Sequence, residues 1–246
     1  MGNHLAYRSG NPALNASVFK GFSKTSENTM TLEGTVNKCT FCLFLLFATG
    51  YYGFINANPL FYGFGFIAII LALATMFRKH WAPYTVPMYI FCKGLFVGTI
   101  SKSYFLMFYE GIVLQAILLT GGIFATLLFL YKTKIIKATE NFKLGIVAAT
   151  GGIFLVYLVS FIMSFFGSNL SIMSINNAST FSIGFSMFVV VIASLNLVLD
   201  FDFIEEASEM NVPKYMEWYG AFGLMVTLIW LYLEILRLLA KMNSRR

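Results

Sequence analysis

Charge is scarce in this sequence. Asp, Glu, Lys and Arg make up 11% of its 246 residues, and apolar residues make up 58%. Soluble domains carry about 25% charged residues, so a water-facing surface of this size is excluded. Histidine is nearly absent. His4 and His80 are the only two, and both lie outside the apolar runs. Their placement excludes a His-Glu-x-x-His metal helix and an intramembrane Ser–His protease. No paired-aspartate protease motif and no glycine-rich phosphate loop occurs. The chain is therefore expected to be non-enzymatic, with no soluble catalytic domain and no resident cofactor. Cysteine is limited to three residues. Cys39 and Cys42 form a C-x-x-C, but Phe41, Leu43 and Phe44 beside them make an apolar setting unsuited to redox or zinc chemistry. They read as small apolar residues packed in a membrane helix, as does Cys92. No apolar stretch follows Met1, so a cleaved signal peptide is not expected.

What the chain does have is long apolar runs, rich in Phe, at roughly 39–57, 60–77, 84–104, 111–131, 144–166, 182–204 and 219–240. A helix needs about 20 apolar residues to cross about 30 Å of hydrocarbon. The runs lack period-two alternation, which excludes a membrane β-barrel. The expectation is an all-α, polytopic membrane bundle of seven transmembrane helices. A polar cytoplasmic lead (1–38) precedes the transmembrane domain (39–240), and a basic tail (241–246) follows it. Short connections make sequential helices antiparallel neighbours. Gly94-x-x-x-Gly98, and Gly145, Ala149 and Gly152, supply small residues at helix-packing spacing.

The net charge of +6 does not point to nucleic acid, which would call for a broad basic face. Basic residues cluster instead in Arg78-Lys79-His80 and at Lys132, Lys134, Lys137 and Lys143. By the positive-inside rule, the lead and these two loops face the cytoplasm. The first and fifth loops carry no charge and the third only Glu110, so they face outward. Two features run against this pattern. The sixth loop, which should lie inside, holds Glu205, Glu206, Glu209 and Glu217 against Lys214 alone. Lys241, Arg245 and Arg246 mark a tail that should lie outside.

Ionisable groups within spans are the candidate functional residues, because each costs about 2.5–3.5 kcal/mol at a helix centre on insertion scales. Lys93 and Lys102 lie in the third run, Asp200 and Asp202 in the sixth, and Glu234 and Arg237 in the seventh. Lys102 and Arg237 are near enough to helix ends to snorkel. Asp200 and Asp202 point about 200° apart around a helix, so only one enters a given cavity. Thr227 and Glu234 share a face about 10 Å apart along the axis, and Arg237 is placed to pair with Glu234. One reading is that the charges neutralise each other and pin helices together, Lys93 pairing with an acid of the sixth or seventh helix. The other is a polar pathway or proton-sensitive gate, since carboxylates in low dielectric bind protons or cations.

Several segments resemble the bacterial Bax inhibitor/YccA-like membrane proteins. They are Asn11-Pro12-Ala13-Leu14, the run Met30-Thr31-Leu32-Glu33-Gly34-Thr35-Val36-Asn37-Lys38, Gly94–Ser101, Tyr109–Phe124, Asn196–Glu206, Lys214–Tyr219 and Trp230–Lys241. The resemblance covers nearly the whole chain. It implies seven helices with the last one central, and a pH-sensitive calcium or proton leak channel in a bacterial cytoplasmic membrane. The channel's sensor is a pair of aspartates in the sixth and seventh helices. Asp200 matches the first of them, and Thr227, not an acid, stands at the second, with Glu234 two turns on. Lys93 also stands where relatives carry an acid or a neutral residue. The resemblance implies a possible calcium ion as ligand. It also implies, as an alternative function, modulation of a membrane-bound AAA protease through the N-terminal lead.

Overall fold

The computed structural model describes residues 29–168 and 170–245. The rest of the lead, including Asn11–Leu14, lies outside the described residues, as do Asn169 and Arg246. Among the described residues there are seven long helices and no strand. They are α1 (Leu32–Ile55), α2 (Gly63–Phe77, preceded by the 3-10 turn Pro59–Tyr62), α3 (Ala82–Met107), α4 (Ile112–Lys132), α5 (Glu140–Phe165), α6 (Thr180–Glu209) and α7 (Met216–Asn243). Each expected run is one helix.

Helix ends differ from the apolar runs for local reasons. α1 begins at Leu32, before its apolar run, because Thr31 caps it. The Thr31 backbone is extended and its hydroxyl accepts from the Gly34 N–H at 2.9 Å. Glu33 sits in the first turn, where a negative charge meets the positive end of the helix dipole. α3 starts at Ala82 although Pro83 follows, because a first-turn proline forfeits no helical hydrogen bond. α6 runs on to Glu209. Glu205, Glu206 and Glu209 therefore belong to the helix and not to the sixth loop, and Asp200 lies deeper in its helix than the apolar run implied. Lys214 is the only charge in the connection 210–215. Lys241 belongs to α7, not to a tail.

Six of the helices are long and apolar enough to cross a membrane, α3 being the exception. α3 has 26 residues, about 39 Å of helix, which exceeds the ~30 Å of hydrocarbon. Its hydropathy is lowered by Lys93, Lys102 and several hydroxyl-bearing residues, some of which bond to the neighbouring helix. The Thr75 hydroxyl of α2 donates to that of Thr85 at 2.7 Å, and Tyr62 OH lies 2.8 Å from the Ser103 hydroxyl. α2 and α3 are thus paired along their length. Burial is uneven across the other spans. In the most apolar window, 67% of α7 and 56% of α6 is buried, against 11–22% for α1, α2, α4 and α5. The last helix is thus the most enclosed of these spans. The large exposed side chains, such as Phe44, Phe66, Phe77, Phe165 and Phe181, suit contact with lipid.

The chain forms two compact units, divided at residues 106/107, 199/200 and 226/227. In the unit holding α1–α3, the end of α6 and the start of α7, glycines set the helix spacing. A Cβ on Gly94 would strike the Thr49 side chain, and one on Gly98 the Gly50 carbonyl. A Cβ on Gly53 would lie 2.6 Å from the Leu95 carbonyl oxygen. α1 and α3 therefore approach backbone to backbone, as small-residue spacing predicts. In the other unit, Ile153, Val189 and Ile192 form a core packed by Ala149, Tyr157, Phe185 and Trp230. The small-residue expectation fails for the α5 glycines, since a Cβ on Gly145 or Gly152 would meet nothing within 4 Å. Only Ala149 of that set packs.

Candidate functional site

Asp200 is fully buried, on a stretch of α6 where Leu197, Val198, Leu199 and Phe201 are buried too. It lies in the unit built from α1–α3. It is close enough to Cys39 of α1 for its charge to act on that thiol. Asp202 is only half-buried, as the ~200° offset between the two requires. Asn196, earlier on α6, belongs to the other unit. It is 1% exposed, and its side-chain N–H groups donate to the Thr150 hydroxyl at 2.8 Å and the Ile192 carbonyl at 2.9 Å. Its Oδ1 has no hydrogen-bond partner among the described residues.

Lys93, in the unit of α1–α3, is half-buried. Its Nζ lies 5.2 Å from the centre of the Phe96 ring, a cation–π distance. No carboxylate of the described residues in that unit forms an ion pair with it. The expected acid partner is thus replaced there by an aromatic face. Lys102 is similar, with its ammonium 4.9 Å from the Phe54 ring centre and 5.0 Å from that of Phe105.

Glu234, 3% exposed, lies in the other unit with Arg237 and Tyr157. The Tyr157 hydroxyl donates to Glu234 Oε1 at 2.6 Å. Arg237 Nη1 donates to both carboxylate oxygens, at 2.9 and 3.0 Å, and to the Tyr157 oxygen at 3.2 Å. The pairing expected from the three-residue spacing is present. Tyr157 completes it, although nothing in the sequence marked that residue, since a tyrosine in an apolar run reads as packing. Thr227 is 2% exposed and lies two turns before Glu234 on α7. Lys241, one turn beyond Arg237, is fully buried. Its ammonium donates to the Ile172 carbonyl at 2.6 Å, the Ser186 hydroxyl at 2.9 Å and the Ser182 carbonyl at 3.4 Å. It fastens the end of α7 to the α5–α6 connection, a role that its place in a basic C-terminal cluster hid.

A second group was also hidden in the sequence, where Glu217 counted as a loop acid. Glu217 sits in the first turn of α7 and is fully buried. Its Oε1 accepts from the Thr31 N–H and hydroxyl, both at 3.1 Å, and its Oε2 lies 3.3 Å from Lys38 Nζ. Lys38 in turn lies 5.7 Å from the Trp218 ring centre. Gly34 leaves room for this group, since a Cβ there would displace the Glu217 carboxylate. The Met30 N–H donates to the Val212 carbonyl at 2.7 Å beside this clasp. Two segments of the resemblance, Met30–Lys38 and Lys214–Tyr219, therefore meet here as one structure.

Among the described residues, no group of three or more His, Cys, Asp or Glu comes together to hold a metal ion. Calcium takes six to eight oxygen ligands, so the carboxylate of Asp200 would supply only part of a shell. No curated protein matches the chain. The family described as Bax inhibitor 1 like matches residues 11–244. With buried acids on two membrane helices and the match spanning almost every residue, the chain belongs to the Bax inhibitor 1 like family.

Proposed function

We propose that this protein is a non-enzymatic, pH-sensitive cation leak channel, passing calcium or protons, gated by protonation of the Asp200 carboxylate. One observation carries the reading: Asp200 is wholly buried within a membrane-spanning helix. An ionised carboxylate in such a place is costly and tends to mark an ion path or a proton relay. Gaining a proton removes the charge of Asp200, and with it whatever ion contact holds one packing of α6. A single carboxylate with Thr227 at the second family position suits weak, passing cation contact better than tight storage. In this reading the protein acts in a bacterial cytoplasmic membrane, with the α2–α3 and α4–α5 connections inside. A membrane-bound AAA protease partner would engage the lead, most of which lies outside the described residues, and the geometry adds no support to it. The test is calcium entry into vesicles carrying the purified protein, scanned from acidic to mildly alkaline pH. Flux above empty vesicles with a pH-dependent rate is expected. Flux no greater than that of empty vesicles at every pH would contradict the reading.

A further inference from the structure

We propose that the α4–α5 connection is a binding site for the headgroups of anionic phospholipids in the leaflet it faces. The connection starts directly at the end of the 21-residue apolar helix α4, which sets it at headgroup depth. There the chain reverses sharply. Lys134 takes a left-handed backbone, φ 57°, and the N–H groups of Ile135 and Ile136 both donate to the Leu130 carbonyl, at 3.0 and 3.2 Å. The turn displays Lys132, Lys134 and Lys137 as exposed side chains, with Ile135 between them 67% exposed. An isoleucine held out among lysines is poorly suited to water. It fits the boundary between headgroup and acyl chain, where it is buried and the lysines meet phosphate. Glu140 is the sole acid from residue 132 to residue 143. It lies in the first turn of α5 beside the Thr139 cap, where the Thr139 hydroxyl accepts from the Phe142 N–H. That carboxylate faces the dipole of α5 and leaves the lysine charge largely unbalanced. Juxtamembrane lysines each favour an anionic surface by about fivefold in affinity.

The test is binding of phosphatidylglycerol and phosphatidylcholine to the purified full chain in detergent, counted by native mass spectrometry. The wild type should prefer phosphatidylglycerol by at least about tenfold, and the preference should shrink as salt screens it. The triple variant Lys132→Gln/Lys134→Gln/Lys137→Gln should lose most of the preference, and the corresponding triple Lys→Arg variant should keep it. Inorganic phosphate should not displace the lipid. A wild type without preference, a triple Gln variant that keeps it, or displacement by phosphate would each overturn the proposal. If the Gln variant does not fold, the wild-type preference, its salt dependence and the Arg variant still decide.

Discussion

At the scale of single residues, three acids are buried among the described residues, Asp200, Glu217 and Glu234. Glu234 has its charge met by Arg237 and its lone pairs met by Tyr157, so it is fixed in place. Tyr157→Phe removes the short donor at 2.6 Å. A hydrogen bond to a charged group is worth about 1.5–3 kcal/mol in soluble proteins, but bonds within membranes average about 0.6 kcal/mol. The expected loss is therefore about 1 kcal/mol, read as a lower unfolding midpoint in detergent, with pH-dependent flux retained. Loss of the pH dependence in this variant would move the sensor from Asp200 to the Glu234 group. Thr227 invites the opposite experiment. Thr227→Asp adds an acid where the resemblance leads one to expect it and should tighten calcium binding, measured by calorimetry. An unchanged affinity would mean that the position no longer contributes to an ion path. The charged residues themselves were visible in the sequence, because any charge inside an apolar run stands out. Their partners were not. Tyr157, Asn196 and Thr31 are ordinary residues whose importance comes only from what the fold places beside them, and the face of Phe96 under Lys93 is of the same kind.

At the scale of helices, seven apolar runs read correctly as seven helices because hydrophobic length is a strong signal in membranes. Their ends were less legible. Caps and dipoles extend α1 back to Leu32 and α6 on to Glu209 through polar residues that hydropathy assigns to loops. Small-residue spacing was a mixed guide. It found Gly94 and Gly98, which pack on α1, and also Gly145 and Gly152, which touch nothing. Spacing says which residues share a face, not which face meets a neighbour. A matched pair of substitutions tests the distinction. Gly98→Val would drive a side chain into the Gly50 carbonyl and should cost about 3 kcal/mol, the upper range for overpacking. Gly152→Val faces open space and should change stability by less than about 0.5 kcal/mol, as surface changes do. Equal effects on the thermal midpoint would refute the described α1–α3 contact.

At the scale of the whole molecule, the contacts at the ends of α7 bear on topology. Met30 joins Val212 and Thr31 joins Glu217, so the start of α1 lies beside the α6–α7 connection. Lys241 joins Ile172, and Ser244 Oγ lies 3.4 Å from the Ile175 carbonyl, so the C-terminal end lies beside the α5–α6 connection. Each end of α7 is thus anchored within its own unit, and a last helix that crosses the membrane fully remains the expectation. The basic tail was the chief objection to that crossing, and it loses weight once Lys241 is a buried helix residue. Cysteine labelling should find Asn177→Cys and Ser244→Cys on one side and Lys137→Cys on the other. Labelling of all three from one side would contradict a seven-helix crossing. The central claim concerns Asp200, and calcium flux into vesicles measured across pH for the wild type and Asp200→Asn tests it most directly. A wild-type flux that changes with pH and an Asp200→Asn flux that is flat, fixed in one state, are expected. An Asp200→Asn protein that folds, carries flux and keeps the wild-type pH profile would contradict it.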